Sequence, residues 1–147
     1  MTVWTGNCSK YRSYLEREGA RMPNGAVVIA DDHLLTRTIL SELLRGDGWV
    51  VFEARNGVEL LALARMEHPD AVVTDLAMPR MGGLEAARTL REHRDGDVDV
   101  FVAITGNAVS SEDERELNDV FDHVLRKPVH PYELRRSLAS AYLDGSG

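Results

Sequence analysis

Five short apolar runs, each followed by a stretch with helical spacing, constrain this chain more than anything else in it. The runs are Ala26–Ala30, Trp49–Ala54, Ala71–Thr74, Val100–Ile104 and His123–Arg126. Ala26–Ala30 is uninterrupted Ala-Val-Val-Ile-Ala, as a strand covered on both faces requires. Between the runs lie amphipathic stretches. From Leu34 to Asp47, Leu35, Ile39 and Leu43 fall on one stripe with Leu40 and Leu44 beside it, and Gly46 and Gly48 end the helix. Asn56, with Glu59 three residues on, has capping-box spacing and opens a helix through Leu60, Leu61 and Leu63 that stops at Pro69. Gly83–His93 carries Leu84, Ala87 and Leu90 on one side. Ser111 and Glu114 have the same box spacing, but the helix they open has only Leu117, Val120 and Phe121 to anchor it, which predicts a weakly held, mobile element. Pro131 occupies the favoured first position of a last helix lined by Leu134, Leu138 and Ala141. Alternation of this kind predicts an α/β fold, a doubly wound five-stranded parallel sheet with helices on both faces and right-handed crossovers.

Residues 1–24 carry no strand pattern. The spacing of Tyr11, Tyr14, Leu15 and Glu18 predicts either a short extra helix over Lys10–Ala20 or an N-terminal tail. The Pro23-Asn24-Gly25 turn signal sets the domain boundary, leaving residues 25–147 as one domain of ordinary size. No apolar run is long enough for a membrane span, and the N-terminus has no apolar signal core. The single cysteine, Cys8, excludes an intrachain disulfide and a cysteine-based metal site, so the expected compartment is cytoplasmic. Seventeen basic against 24 acidic residues give a net charge of −7, which argues against nucleic acid as a direct partner. Among the basic residues only Lys10 and Lys127 are lysines, which makes position 127 stand out.

Four of the runs end in polar residues: Asp31-Asp32, Asp75, Thr105 and Lys127. A parallel sheet places all of these ends on the edge where ligands bind. Singly, each has an ordinary reading: a helix N-cap pair, a turn aspartate, a strand-end hydroxyl, a surface lysine. As a set they gather three carboxylates, a hydroxyl and an ammonium in one cleft. Crowded carboxylates resist ionisation without a cation, and a hard ion such as Mg²⁺ removes that conflict. A carboxylate beside Mg²⁺ and an ammonium is suited to attack a phosphoryl group, with Thr105 and Lys127 contacting its oxygens.

The segments Ile29-Ala-Asp-Asp32, Thr74-Asp-Leu-Ala-Met-Pro-Arg-Met-Gly-Gly83, Ile104-Thr-Gly106 and Lys127-Pro128 resemble the receiver domain of two-component response regulators, including receivers of hybrid sensor histidine kinases. The resemblance covers about Gly25 to Leu143. It implies a flavodoxin-like sheet of strand order 2-1-3-4-5 and a cis Lys127–Pro128 bond. It implies that Asp75 accepts a phosphoryl group from a histidine kinase or phosphotransfer protein. Asp32, Asp75 and the backbone carbonyl of Ala77 would bind Mg²⁺, with Asp31 helping through water. It also implies a phosphoacceptor with at most autocatalytic phosphorylation and dephosphorylation, read by a downstream protein partner or by a second copy of the chain.

Three positions depart from the family pattern. Val124 stands where the family usually has an aromatic ring that swings as the threonine moves. Ala77 leaves empty a position often held by a polar side chain. Gly106 adds no side chain and predicts open access to Asp75. Two other functions are weighed against the phosphorylated switch: a receiver-like adaptor that binds proteins without phosphate, and a phosphatase with an aspartyl intermediate, which Ala77 disfavours.

Overall fold

The computed structural model describes residues 25–93, 98–106 and 110–145, with side chains as far as Ala139. The expected helix over Lys10–Ala20, Cys8, most of the Arg94–Asp99 loop and the side chain of Ala141 lie outside the described residues. Strand and helix alternate in the order β1 (Gly25–Ala30), α1 (Leu34–Gly46), β2 (Trp49–Ala54), α2 (Gly57–Glu67), β3 (Ala71–Asp75), α3 (Gly83–His93), β4 (Val100–Thr105), α4 (Ser111–Val120), β5 (His123–Arg126) and α5 (Pro131–Gly145). All strand pairs are parallel, and the order across the sheet is β2-β1-β3-β4-β5. Val27 lies opposite both Val51 and Ala71, Asp75 opposite Ile104, and Thr105 opposite Arg126. This register brings the ends of β1, β3, β4 and β5 to one edge.

Both faces of the sheet are covered, which is why β1, β3 and β4 are buried along their whole length. Successive side chains alternate between the two layers. Val28, Ala30, Val72, Phe101 and Ala103 pack against Leu60, Leu61 and Ala64 of α2, Ala86, Ala87 and Leu90 of α3, and Leu117 and Val120 of α4. Val27, Ile29, Val73, Val102 and Ile104 pack against Leu40 and Leu44 of α1 and Leu134 and Leu138 of α5. No helix among the described residues is long and apolar enough to cross a membrane.

The inward face of α1 corrects the sequence reading. Leu35 and Ile39 are 62% and 58% exposed, and Leu34 is exposed beside them. The stripe that meets the sheet is Arg37, Leu40, Ser41 and Leu44, rotated from the expected one. The physical reason is a polar partner waiting under the helix. Arg37 Nη1 donates to the Asp31 carbonyl at 2.8 Å and its Nε to Glu53 of β2 at 3.2 Å, so an inward guanidinium is satisfied.

Two capping expectations also shift. The N-cap of α4 is Ser110, not Ser111: its hydroxyl accepts from Asp113 N–H at 3.2 Å and donates to the Asp113 carboxylate at 2.8 Å. Asn56 caps α2 as expected, accepting from Glu59 N–H at 2.9 Å, but the Glu59 carboxylate accepts from Arg55 N–H rather than closing a box on Asn56.

Helix α4 does have few apolar anchors, Leu117 and Val120 with Phe121 behind them. It is nevertheless tied to α3 by two arginines. Arg91 donates through Nε to the Val120 carbonyl and through Nη2 to Asp122 at 3.0 Å, with its guanidinium 4.5 Å from the Phe101 ring centre. Arg88 pairs with Glu116.

Leu40→Ala should cost about 2–5 kcal/mol in chemical denaturation, whereas Ile39→Ala should stay within about 0.5 kcal/mol of the parent. Equal losses would restore the Leu35–Ile39 stripe as the buried one. Arg91→Met should cost about 1–2 kcal/mol and speed amide exchange across Ser111–Val120 more than elsewhere, as read by hydrogen-exchange mass spectrometry.

Candidate functional site

Asp31 follows directly from β1 and continues its path. Its N–H donates to the Ala54 carbonyl at 3.0 Å, and its carbonyl accepts from buried Arg37. Its carboxylate is almost fully buried; Oδ1 accepts from His33 N–H at 2.9 Å. Oδ2 accepts no hydrogen bond among the described residues. It lies 3.4 Å from Lys127 Nζ, inside ion-pair range but too far for a well-formed hydrogen bond. Neither aspartate caps α1. That role falls to His33, whose Nδ1 faces Thr36 N–H at 3.5 Å and Thr36 Oγ1 at 3.2 Å. The carboxylates of Asp31 and Asp32 are thereby left for the cleft.

Asp75 ends β3. Its Oδ1 accepts from Ala77 N–H at 3.2 Å and its Oδ2 from Lys127 Nζ at 2.9 Å. Helix α3 starts hard against this strand end. A Cβ on Gly83 would collide with the Asp75 carbonyl and the Thr74 hydroxyl, so only glycine permits the approach. Thr105 ends β4 and is buried. Its carbonyl accepts from Lys127 N–H at 2.9 Å, which sets the backbone of Lys127 beside the acids. The Lys127–Pro128 bond is cis, as the resemblance implies.

One carboxylate oxygen from each of Asp31, Asp32 and Asp75 lies within 4.8 Å of the others. Burial, joined by the charge of Asp75, pushes the Asp31 carboxyl above the usual carboxylate range, although the His33 N–H and Lys127 pull the other way. Burial works against the charge of Lys127, yet its hydrogen bond to Asp75 and the two carboxylates outweigh that and raise its ammonium above the ordinary value. An all-oxygen set with a buried, underbonded carboxylate oxygen fits a hard divalent cation.

The structure thus brings Asp31, Asp32, Asp75 and Lys127 together, sets Thr105 at the adjoining strand end, and joins Ala77 to Asp75 through its N–H. Access is narrower than Gly106 suggested. A Cβ at Gly106 would meet nothing closer than Lys127 Cδ at 3.9 Å, but Asp75 keeps only 10% side-chain exposure with Lys127 across it. Arg37 was missed in the sequence reading. Its signal was present: it sits i−3 from Leu40 and i−7 from Leu44, on their stripe, six residues past Asp31.

A family model described as the response regulator receiver domain matches residues 27–139. The chain belongs to that family. Sensor protein EvgS of Escherichia coli O157:H7 is 36% identical over 104 residues, covering 71% of this chain but only 8% of EvgS, so the match concerns a small part of that relative. The polar-differentiation response regulator DivK of Brucella ovis is 28% identical over 104 residues, covering 71% of this chain and 85% of DivK. The crystal structure of the receiver domain of sensor histidine kinase PA1611 from Pseudomonas aeruginosa PAO1 superposes with a TM-score of 0.72 at 25% identity, covering 80% of this chain and 97% of that one, and holds a magnesium ion coordinated in its active-site cleft. The receiver sheet of this chain has the flavodoxin-like order expected of it.

The raised Asp31 carboxyl carries a sign. A folded-state value above the unfolded one means that the ionised form destabilises the fold. That cost is fully present above the raised value and fades as pH falls through it towards the unfolded value. Asp31→Asn should therefore raise the melting temperature of metal-free protein at neutral pH, with the gain shrinking as pH falls into the acid range, as followed by calorimetry across pH. A gain independent of pH would show that the buried charge of Asp31 is not its source.

Proposed function

We propose that this receiver domain is a phosphorylatable switch, with Asp75 as the acceptor and the phosphohistidine of a histidine kinase or phosphotransfer protein as the donor. The observation that carries this reading is the convergence of Asp31, Asp32 and Asp75 beside Lys127 at one sheet edge. An Asp75 carboxylate oxygen would form the new bond to phosphorus, while the bond from phosphorus to the donor nitrogen breaks and its electron pair stays with the imidazole. Lys127 would follow a phosphoryl oxygen as the charge on Asp75 Oδ2 is consumed. The Thr105 hydroxyl would donate to another. Asp31, Asp32, Asp75 and the Ala77 carbonyl are the proposed Mg²⁺ ligands, Asp31 through water. When bound, the cation supplies charge neutralisation for carboxylates and phosphoryl oxygens alike.

The magnesium-bearing receiver of PA1611 supports the choice of ion. The matches to a sensor protein and to a response regulator support the choice of donor and of a downstream protein partner, with a second copy of the chain as another reader. The proposed unit is residues 25–147, with residues 1–24 appended, in the cytoplasm. Such a unit stores one phosphoryl group and loses it to water, and is not a catalyst for outside substrates. For the stored state to signal, the partner must prefer it, because equal affinity for both states shifts nothing.

Incubation with acetyl phosphate and Mg²⁺ should add one phosphoryl group, seen by intact-mass spectrometry, and EDTA should prevent it. Asp75→Asn should abolish the adduct, and Lys127→Ala should slow it by about a hundredfold. An adduct that persists in Asp75→Asn would remove Asp75 as the acceptor. A partner that binds Asp75→Ala as tightly as the phosphorylated parent would favour the adaptor function.

A further inference from the structure

We propose that Arg37 is a positioning residue for the cation site, holding the β1–α1 turn so that Asp31 presents its free carboxylate oxygen to the cleft. The inference rests on the phosphoacceptor reading and concerns a side chain that touches none of the reacting groups. Arg37 is 11% exposed, and its guanidinium spans two elements. Nη1 donates to the Asp31 carbonyl at 2.8 Å in a buried bond, and Nε donates to Glu53 Oε1 at 3.2 Å. Glu53 is in turn fixed by Arg45, whose Nη2 lies 3.2 Å from its other oxygen.

The consequence for Asp31 follows from its hydrogen bonds. Its N–H is held by Ala54, its carbonyl by Arg37 and its Oδ1 by the His33 N–H. Only Oδ2 is left without a hydrogen bond, and Oδ2 is the oxygen nearest Lys127. The turn after Ala30 must carry its chain away from the sheet within three residues to start α1 at Leu34. The carbonyl of Asp31 sits in that turn, and the guanidinium is its buried partner. Without that bond the carbonyl would be buried and unpaired, and the turn would relax to solvate it. Asp31 would then rotate relative to Asp32 and Asp75. Groups that orient a metal's ligands without touching the metal typically govern affinity by about ten- to a hundredfold.

A structural account would instead make Arg37 an ordinary buried ion pair that only stabilises α1 on β2. The two accounts separate in a Mg²⁺ titration followed by NMR chemical shifts, at a temperature where calorimetry shows every variant fully folded. Arg37→Gln should raise the Mg²⁺ dissociation constant by about tenfold or more, and Arg37→Lys, which keeps a cationic donor, should recover part of it. In acetyl phosphate labelling the same variant should need correspondingly more Mg²⁺ for half-maximal rate while approaching the parent rate at saturation. A dissociation constant for Arg37→Gln within twofold of the parent overturns the proposal. If Arg37→Gln does not fold, Glu53→Ala takes its place: it removes the acceptor that anchors the guanidinium to β2 and should weaken Mg²⁺ in the same direction, and an unchanged constant there overturns the proposal equally. Failure of the underlying reading looks different. The parent itself would show no saturable Mg²⁺ response, or Asp31→Asn and Asp75→Asn would leave the response intact.

Discussion

Three carboxylates forced within a few ångströms of one another, with one ammonium to answer them, are the constraint on which this molecule depends. At about 5 Å and an effective dielectric of about 20, two full charges repel by roughly 3 kcal/mol, a large share of the stability of a domain this size. The parallel register brings the ends of β1 and β3 side by side, so Asp31 and Asp75, the next residue of each chain path beyond the Ala30–Thr74 pair, share one edge. The burial of β1, β3 and β4 on both faces, and the glycine that lets α3 butt against the Asp75 carbonyl, keep that edge rigid. The fold gathers negative charge at one buried sheet edge, and a functional site is where local rules are expected to be broken.

That crowding explains features that otherwise look like poor design. A buried arginine on the inner face of α1 is costly unless paired, and here it is paired with Glu53 and with the backbone of the acid turn. Apolar residues that a simple amphipathic helix would bury, Leu35 and Ile39, are exposed in consequence. On the opposite layer α4 is short of apolar contacts, and Arg91 of α3 takes over by reaching its last carbonyl and the Asp122 carboxylate. In both layers a guanidinium does what a leucine would do elsewhere, consistent with a chain whose basic residues are almost all arginine.

Most of the fold and the heart of the site were legible in the sequence because they rest on strong local signals. A continuous Ala-Val-Val-Ile-Ala run closed by breakers suits a doubly covered strand, and acids immediately after such runs share an edge once the strands are parallel. What was not legible depended on pairing between distant residues. Counting apolar positions assigned α1 the wrong stripe, because the stripe is chosen by Arg37 finding Glu53 on a strand sixteen residues away. Serine at both 110 and 111 makes the α4 cap ambiguous by one residue, and only the hydrogen bond to Asp113 decides it. His33 as the cap of α1 was hidden behind two aspartates, which are better caps by propensity but are directed into the cleft. The burial of Asp75 beneath Lys127 could not be inferred from Gly106, since it depends on a lysine 52 residues away.

With valine at 124, no aromatic ring is available at that position to report the state of the site, so any coupling to α4 must use contacts this chain has. Thr105, Ala103 and Phe101 alternate onto the same side of β4, and Ala103 and Phe101 belong to the layer that includes Val124, Leu117 and Val120. Phe101 is bonded through its N–H to Asp122 at 2.8 Å and lies under the Arg91 guanidinium, which holds the Val120 carbonyl. One face of β4 and the hydrogen bonds of Arg91 and Asp122 thus connect the acid edge to the end of α4, with no aromatic ring at position 124 among the contacts. Such bonds are either made or broken, which is the property a two-state element needs if phosphate on Asp75 is to change what a partner meets at α4.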